Sequence, residues 1–281
     1  MKKFLLKYKT YFIILLIILI ILGILVLIAF DDRLKIKTYK VSDDEISNSF
    51  NGLKIAQISD LHGIIPIGLK DALQKQQPDM IALTGDIIDE YVTDLTPVYD
   101  FLMDCCNIAP TYYVSGNHEI WRYDYEDVMK KFEECGVKVL DNKTVALAKQ
   151  DDIIYLTGIS DPNVWDKEEA IEITEDAISS SLSMDGYNIL LFHRADLLDC
   201  FNDANYDLIL SGHLHGGQIN IPFIGGLISP DMVWMPDYSG GKYKLDNDSI
   251  AIVSRGLANT TPVPRLFNRP ELVIIELHSD N

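Results

Sequence analysis

From residue 53 the chain repeats one pattern: a short apolar run, a polar turn, then an amphipathic stretch. Residues 53–58 read as a strand, 69–76 as a helix stopped by Pro78, 80–83 as a strand and 97–105 as a helix. A strand at 111–114 and a helix at 125–135, closed by Gly136, continue the series. Alternation of this kind predicts a sheet with helices on its faces. The second half is richer in strands, expected at 137–140, 145–148, 153–158, 188–192, 206–210, 218–221, 242–245, 250–253 and 272–277. Helices are expected there near 168–182 and 195–201. So many strands suit two sheets packed face to face with helices outside, within one domain over residues 52–281. No internal repeat or low-complexity tract points elsewhere.

The first fifty residues follow a different pattern. Residues 11–30 run for 20 residues without a charge. At 1.5 Å per residue a helix of that length spans about 30 Å, the thickness of a bilayer's hydrocarbon core. It lacks the polar stripe of a helix packed on a protein surface. Its exit, Ile28-Ala29-Phe30-Asp31, is a poor cleavage site for a secretory signal. An uncleaved, single-pass transmembrane anchor is expected. Residues 1–10 form a short tail with Lys2, Lys3, Lys7 and Lys9, expected on the cytoplasmic side, although Arg33, Lys35, Lys37 and Lys40 follow the span. The remaining domain would then lie outside the cytoplasm, at the cell membrane. Residues 31–51 are polar and mixed in charge and read as a linker, with room for a first strand around 35–41.

Composition narrows the chemistry. The formal net charge is −18. Such acidity disfavours nucleic acid as a partner, because phosphate backbones need Lys and Arg to neutralise them. A phosphate substrate remains compatible if bound cations supply the positive charge. The cysteines, Cys105, Cys106, Cys135 and Cys200, lack metal-binding spacing and read as buried thiols, with neither a disulfide framework nor a zinc site implied.

The histidines carry more. His62, His118, His193, His213 and His215 lie at or just beyond the ends of strand-like runs, and only His278 sits in a tail. Asp60, Asp86 and Asn117 occupy equivalent places, where ligands gather in sheets of this type. The densest stretch is Gly212-His213-Leu214-His215-Gly216-Gly217-Gln218. If it is extended, His213 and His215 share a face and aim both imidazoles into one space. Taken singly, each residue has a plainer reading. The histidine pair could be a surface turn, Asp60 and Asp86 helix caps, Gly116-Asn117 a turn, and His193 a satisfied core histidine. Glu119 reads as a structural partner or helix start. Taken together they point to one metal site. Asp60, His62, Asp86, Asn117, His193, His213 and His215 are too many for one structural zinc, which takes four ligands and prefers Cys and His. They suit two ions about 3.5–4 Å apart, able to activate a water and clamp a phosphoryl group.

The motif order Asp60-x-His62, Gly85-Asp86-x-x-Asp89, Gly116-Asn117-His118-Glu119, His193 and Gly212-His213-x-His215 resembles the calcineurin-like metallophosphoesterases, over roughly residues 53–277. The resemblance implies a four-layer αββα sandwich and two divalent cations, drawn from Mn, Fe or Zn. It implies Asp60, His62, Asp86 and His215 around the first ion, and Asp86, Asn117, His193 and His213 around the second, with Asp86 bridging. His118 would be the histidine that binds no metal and assists the leaving oxygen. Asp89 would stand behind it or behind a metal-bound histidine. Ala195 departs from the family, which often has a proline there. Gly216-Gly217-Gln218, Arg255-Gly256-Leu257 and Arg269-Pro270-Glu271 look like the membrane-anchored branch, some of whose members hydrolyse UDP-2,3-diacylglucosamine.

Residues 221–235 form an apolar loop whose one charge is Asp231. Either it packs as a hairpin on the core, or it meets lipid beside the site, a setting that suits Trp234. With the anchor, it makes a lipid-linked phosphodiester or pyrophosphate the expected substrate, and the membrane a second partner. The alternatives are a protein or nucleotide phosphatase of the same fold, and a non-catalytic metal-binding membrane sensor. A sensor has no use for His118.

Overall fold

Residues 2–181, 184–258 and 261–280 are described by the computed structural model, with side chains from Tyr8 onward. The elements in order are α1 (Lys2–Ala29), β1 (Lys35–Asp43), β2 (Lys54–Ile58), α2 (Leu69–Gln76), β3 (Met80–Thr84), α3 (Thr96–Ile108), β4 (Thr111–Val114), α4 (Asn117–Ile120), α5 (Tyr125–Glu134) and β5 (Lys138–Val139). Then come β6 (Lys143–Lys149), β7 (Asp152–Ile159), α6 (Lys167–Ser180), β8 (Asn188–Arg194), β9 (Leu208–Gly212), β10 (Asn220–Ile221), β11 (Gly225–Gly226), β12 (Gly241–Lys244), β13 (Ile250–Val253) and β14 (Glu271–Ser279).

Two six-stranded sheets form, in the orders β1-β14-β2-β3-β4-β5 and β12-β13-β9-β8-β7-β6. Strand periodicity explains their stacking, because neighbouring side chains point to opposite faces. Met80 and Ala82 of β3 enter a core shared with Ile189 and Leu191 of β8 and Leu208 and Leu210 of β9. Ile81 and Leu83, one residue out of phase, face a second core with Leu73 of α2, Leu102 of α3 and Phe132 of α5. Leu190 and Phe192 of β8 face a third with Ala170 of α6 and Phe201. The result is four layers, helix–sheet–sheet–helix, as the strand count and the resemblance implied. Each Ile or Leu fully buried between layers contributes roughly 1.5–3 kcal/mol of transfer free energy.

Some expectations are revised. The strand expected around 35–41 is β1, but it pairs in parallel with β14 from Lys35↔Glu271 to Asp43↔Ser279, so this stretch belongs to the first sheet and not to a linker outside the domain. Ala195–Phe201 is a 3-10 helix. The strand expected at 218–221 shrinks to β10, paired only with β11 in a hairpin. Helix α1 projects from the folded layers. Its side chains are exposed from Tyr8 to Ile28, and Tyr8–Ala29 is long and apolar enough to cross a membrane. The four cysteines are free, as expected, but of the four only Cys105 is buried; Cys106, Cys135 and Cys200 are partly exposed.

Candidate metal centre and active site

β2, β3, β4, β8 and β9 run parallel within their sheets, and the residues beyond their carboxyl ends gather in one place. The chain breaks sharply there. Asp60, His62, Asp86, His213 and His215 all adopt positive φ, between 47° and 74°. Few non-glycine residues do so, and each costs on the order of 1–3 kcal/mol. Surrounding contacts hold them. Asp60 N donates to Gly85 O, and His62 N to Asp86 O. Two glycines leave room for site side chains, one for an imidazole and one for a carboxylate. At Gly85, φ is +80° and a Cβ would lie 2.5 Å from His193 Nδ1. At Gly116 a Cβ would lie 2.3 Å from Asp86 Oδ1.

The expectation that His213 and His215 share a face of an extended segment is overturned. β9 ends at Gly212, and both histidines lie in left-handed turns beyond it. Their rings part company. His215 groups with Asp60 and His62, whereas His213 groups with Asp86 and His193. In the first cluster His215 Nε2 lies 3.3 Å from Asp60 Oδ1 and 3.1 Å from His62 Nε2. In the second His193 Nε2 lies 3.1 Å from Asp86 Oδ2, and the same oxygen is 3.8 Å from His62 Nε2. Asp86 therefore stands between the clusters.

Asn117 and His118 open α4. Asn117 is buried, and its Oδ1 has no hydrogen-bond partner. His118 reaches further out: its side chain keeps 22% of its exposure, against 6% or less for the other site histidines. Its Nδ1 is in close contact with Glu90, and its Nε2 faces Asp86 Oδ2 at 4.0 Å. Asp89 is within reach of two rings, 3.4 Å from His62 Nδ1 and 3.6 Å from His118 Nδ1. Glu119 accepts hydrogen bonds from the backbone N–H groups of Asp86, Ile87, Ile88 and Gly116, which locks the β3 turn to α4.

Two functional neighbours escaped the sequence reading. Glu90 follows Asp89 with nothing to distinguish it from a solvated acid. Asp231, seen only as the lone charge of the apolar loop, places Oδ2 3.0 Å from His213 Nε2. Ala195 is buried at the start of its 3-10 helix, within the third core.

Electrostatics sort the donors. Burial pushes Asp60 and Asp86 upward, but His215 beside one and His193 beside the other hold both carboxyls well below the usual range. Burial also opposes charge on His193, yet Asp86 and Asp60 raise it to about 10. Burial dominates at His215 and lowers it to about 4. Glu119, buried and repelled by Asp86, is pushed up to about 7. The site thus concentrates ionised carboxylates and imidazole nitrogens.

That donor set fits divalent cations. Asp60 Oδ2, His62 Nδ1, Asn117 Oδ1, His193 Nε2, His213 Nε2 and His215 Nδ1 are buried without an aligned hydrogen bond, even where a carboxylate lies within ion-pair range. Orphaned buried polar atoms are rare and costly, and a cation relieves them.

Comparison with known proteins agrees with this geometry. Residues 53–217 match the calcineurin-like phosphoesterase family, and that span contains both clusters. The chain is similar to an uncharacterised metallophosphoesterase of Campylobacter jejuni, at 31% identity over 96% of this chain and 72% of that one. It is similar to the phosphodiesterase YaeI of Escherichia coli, at 28% identity over 80% of this chain and 82% of that one. It is also similar to a transmembrane protein with metallophosphoesterase domain from Bos taurus, at 27% identity over 87% of this chain and 57% of that one. Strand-end carboxylates and histidines that want cations, carried on the span the family defines, make this chain a member of the calcineurin-like phosphoesterases, metal-dependent hydrolases of phosphate esters.

Proposed function

We propose a membrane-anchored phosphohydrolase with a dinuclear centre, belonging to the anchored branch of the family and cleaving a phosphodiester or pyrophosphate bond in a lipid-linked substrate. The observation that carries the chemistry is Asp86, one carboxylate within 4 Å of histidines from both clusters. Asp60, His62, Asp86 and His215 would hold one divalent cation, and Asp86, Asn117, His193 and His213 the other. When bound, the cations supply the positive charge that this acidic chain lacks and acidify an attacking water.

The protein's own groups do the rest. His118 meets Glu90 through Nδ1 and keeps Nε2 turned towards Asp86. A ring held at one nitrogen with the other aimed at the reacting groups is the geometry a general acid needs. Asp89 braces both His62 and His118.

The lipid part of the reading rests on how the anchor meets the site. Phe267 N donates to Ala29 O, the last residue of α1. Its neighbour Leu266 pairs with Gln218 and Asn220, and Asn268 Nδ2 donates to His215 O at 2.7 Å. One short segment thus ties the end of α1 to the HxH turn. Phe223, Ile224, Met232 and Trp234 of the following hairpin loop are all more than half exposed. An apolar, all-round exposed helix and an apolar loop on the same segment suit a domain held against a bilayer, with the short lysine-bearing tail inside and the catalytic domain outside the cytoplasm.

The test uses the full chain in detergent with Mn²⁺, assayed on an aryl phosphodiester with and without chelator. Chelator-sensitive turnover is expected. A metal-loaded protein that hydrolyses neither diester nor monoester overturns the reading in favour of a sensor.

A further inference from the structure

Four rings lead from the metal clusters to the surface in an unbroken series. His62 and His118 pack edge to face with centroids 4.6 Å apart, His118 and Trp121 follow at 5.0 Å, and Trp121 stacks on Trp165 at 4.4 Å with an interplanar angle of 18°. Trp121 ends α4, three residues after His118, so both side chains share one side of that turn. Trp165 comes from the other half of the molecule, in the loop between β7 and α6. The tryptophan pair therefore joins the two halves of the sandwich beside the residue read above as the general acid.

The pair is not core. Trp165 retains 75% of its exposure although one ring face is covered by Trp121, and the flanking Tyr123 is almost fully exposed. Its loop is nevertheless built. Arg194, the residue after His193, donates to Val164 O, and Asp161 accepts from Asn163 N. At the loop's end Asp166 caps α6 by accepting from Glu169 N. Arg122, next to Trp121 in the chain, has its guanidinium engaged by Asp124 and by the carbonyls of Asp89 and Val92. The open face of Trp165 thus offers a stacking surface beside the site read above as taking phosphate.

We propose that Trp165, backed by Trp121, is a specificity subsite for a nucleobase carried on the phosphorylated substrate. The inference rests on the phosphohydrolase reading for the position of the phosphate, but not for the stacking. A planar, uncharged, heteroaromatic ring fits a tryptophan face two ring contacts from His118, and base–aromatic stacking is indifferent to which base is present.

Two measurements on the full chain in detergent test it. The first compares hydrolysis of adenosine 5′-phosphate hexyl ester with that of the matched ribose 5-phosphate hexyl ester. Trp165→Ala and Trp165→Leu should each raise KM for the adenosine ester about tenfold, the loss expected for one base-stacking contact, with kcat and the abasic ester little affected. Trp165→Tyr should restore most of the preference. Equal losses on both esters, or a wild type indifferent to the base, would overturn the subsite. The second is saturation-transfer NMR with adenosine against ribose, and it needs no metal. Adenine protons should saturate in the wild type and lose most of that effect in Trp165→Leu. Equal saturation in both proteins, or none in either, sinks the proposal. If neither ester is hydrolysed, the phosphohydrolase reading falls and the NMR comparison still decides the platform.

Discussion

At the scale of the residue, the site depends on side chains held where a few tenths of an ångström matter. Gly116 shows this most directly, because its hydrogen occupies the space beside Asp86. Gly116→Ala would place a methyl group 2.3 Å from Asp86 Oδ1 and 2.6 Å from Asp86 N, so the carboxylate must move. Displacement of that order costs about 100-fold in turnover when geometry is set by pre-organised groups. We expect kcat/KM for an aryl phosphodiester to fall by at least that much; full activity would show that Asp86 tolerates repositioning. His118 and Asp86 should part company in a second measurement. His118→Ala should lower kcat by about 10²–10⁴-fold, the usual contribution of general acid catalysis, and retain bound metal by elemental analysis. Asp86→Ala should lose metal and activity together. Equal metal loss in both would make His118 a ligand. Not all of this was legible in the sequence. Asp60, Asp86 and the histidines announced themselves by residue type at strand ends. Their backbone did not, because His213 and His215 converge through left-handed turns that periodicity cannot show. Glu90 and the Trp121–Trp165 stack were silent for another reason: only the folded chain brings them to His118 and to each other.

At the scale of the element, strands were readable because each alternates between two apolar environments, as Met80–Thr84 does between inner and outer cores. Short pieces without that alternation were less legible: β10 is half the expected strand, and the helix expected at 195–201 lies there but is a 3-10 helix, a character the pattern does not show. The start of β9 offers a pH test. Asp207, just before it, accepts from Asn188 N at 2.6 Å and so helps align β8 with β9. Burial, with Glu45 and Asp43 nearby, pushes its carboxyl up to about 6 from 3.8. A raised folded-state value means that the folded protein holds the proton more tightly. The stability it lends is complete below pH 3.8 and is lost as pH rises through about 6. Asp207→Asn, which cannot ionise, should therefore gain in Tm relative to the wild type between pH 4 and 7. A difference independent of pH would mean that Asp207 keeps an ordinary carboxyl. The parallel β1–β14 pairing makes a second demand. Deleting residues 1–44 would strip β1 and bare the edge of β14, including its buried Leu272, Val273 and Ile274. An exposed apolar edge invites association. Such a truncation should aggregate on light scattering, while one beginning at Asp32 should remain monodisperse.

At the scale of the whole molecule, the apolar helix α1, the apolar loop and the metal-ligand clusters meet through one segment, so the proposed membrane contact and the proposed chemistry can be tested together. Asp231 sharpens the point. It lies among the exposed apolar residues of the hairpin loop, yet its Oδ2 sits 3.0 Å from His213 Nε2. A loop that inserts apolar tips into lipid while fixing a site histidine would favour substrates presented at a bilayer. Replacing Phe223, Ile224 and Trp234 together with Ser removes three exposed apolar side chains and leaves Asp231 in place. Each side chain lost from an apolar phase weakens partition by about 1.5–3 kcal/mol at full burial, and these tips need be only partly immersed to matter. Turnover of a phosphodiester carried in lipid vesicles should therefore fall about tenfold or more, while turnover of a soluble aryl phosphodiester should hold within about twofold. Equal losses on the two substrates would place the loop in the folding of the site itself. Unchanged turnover of both would detach it from the membrane, and the lipid-linked substrate would lose its main structural support.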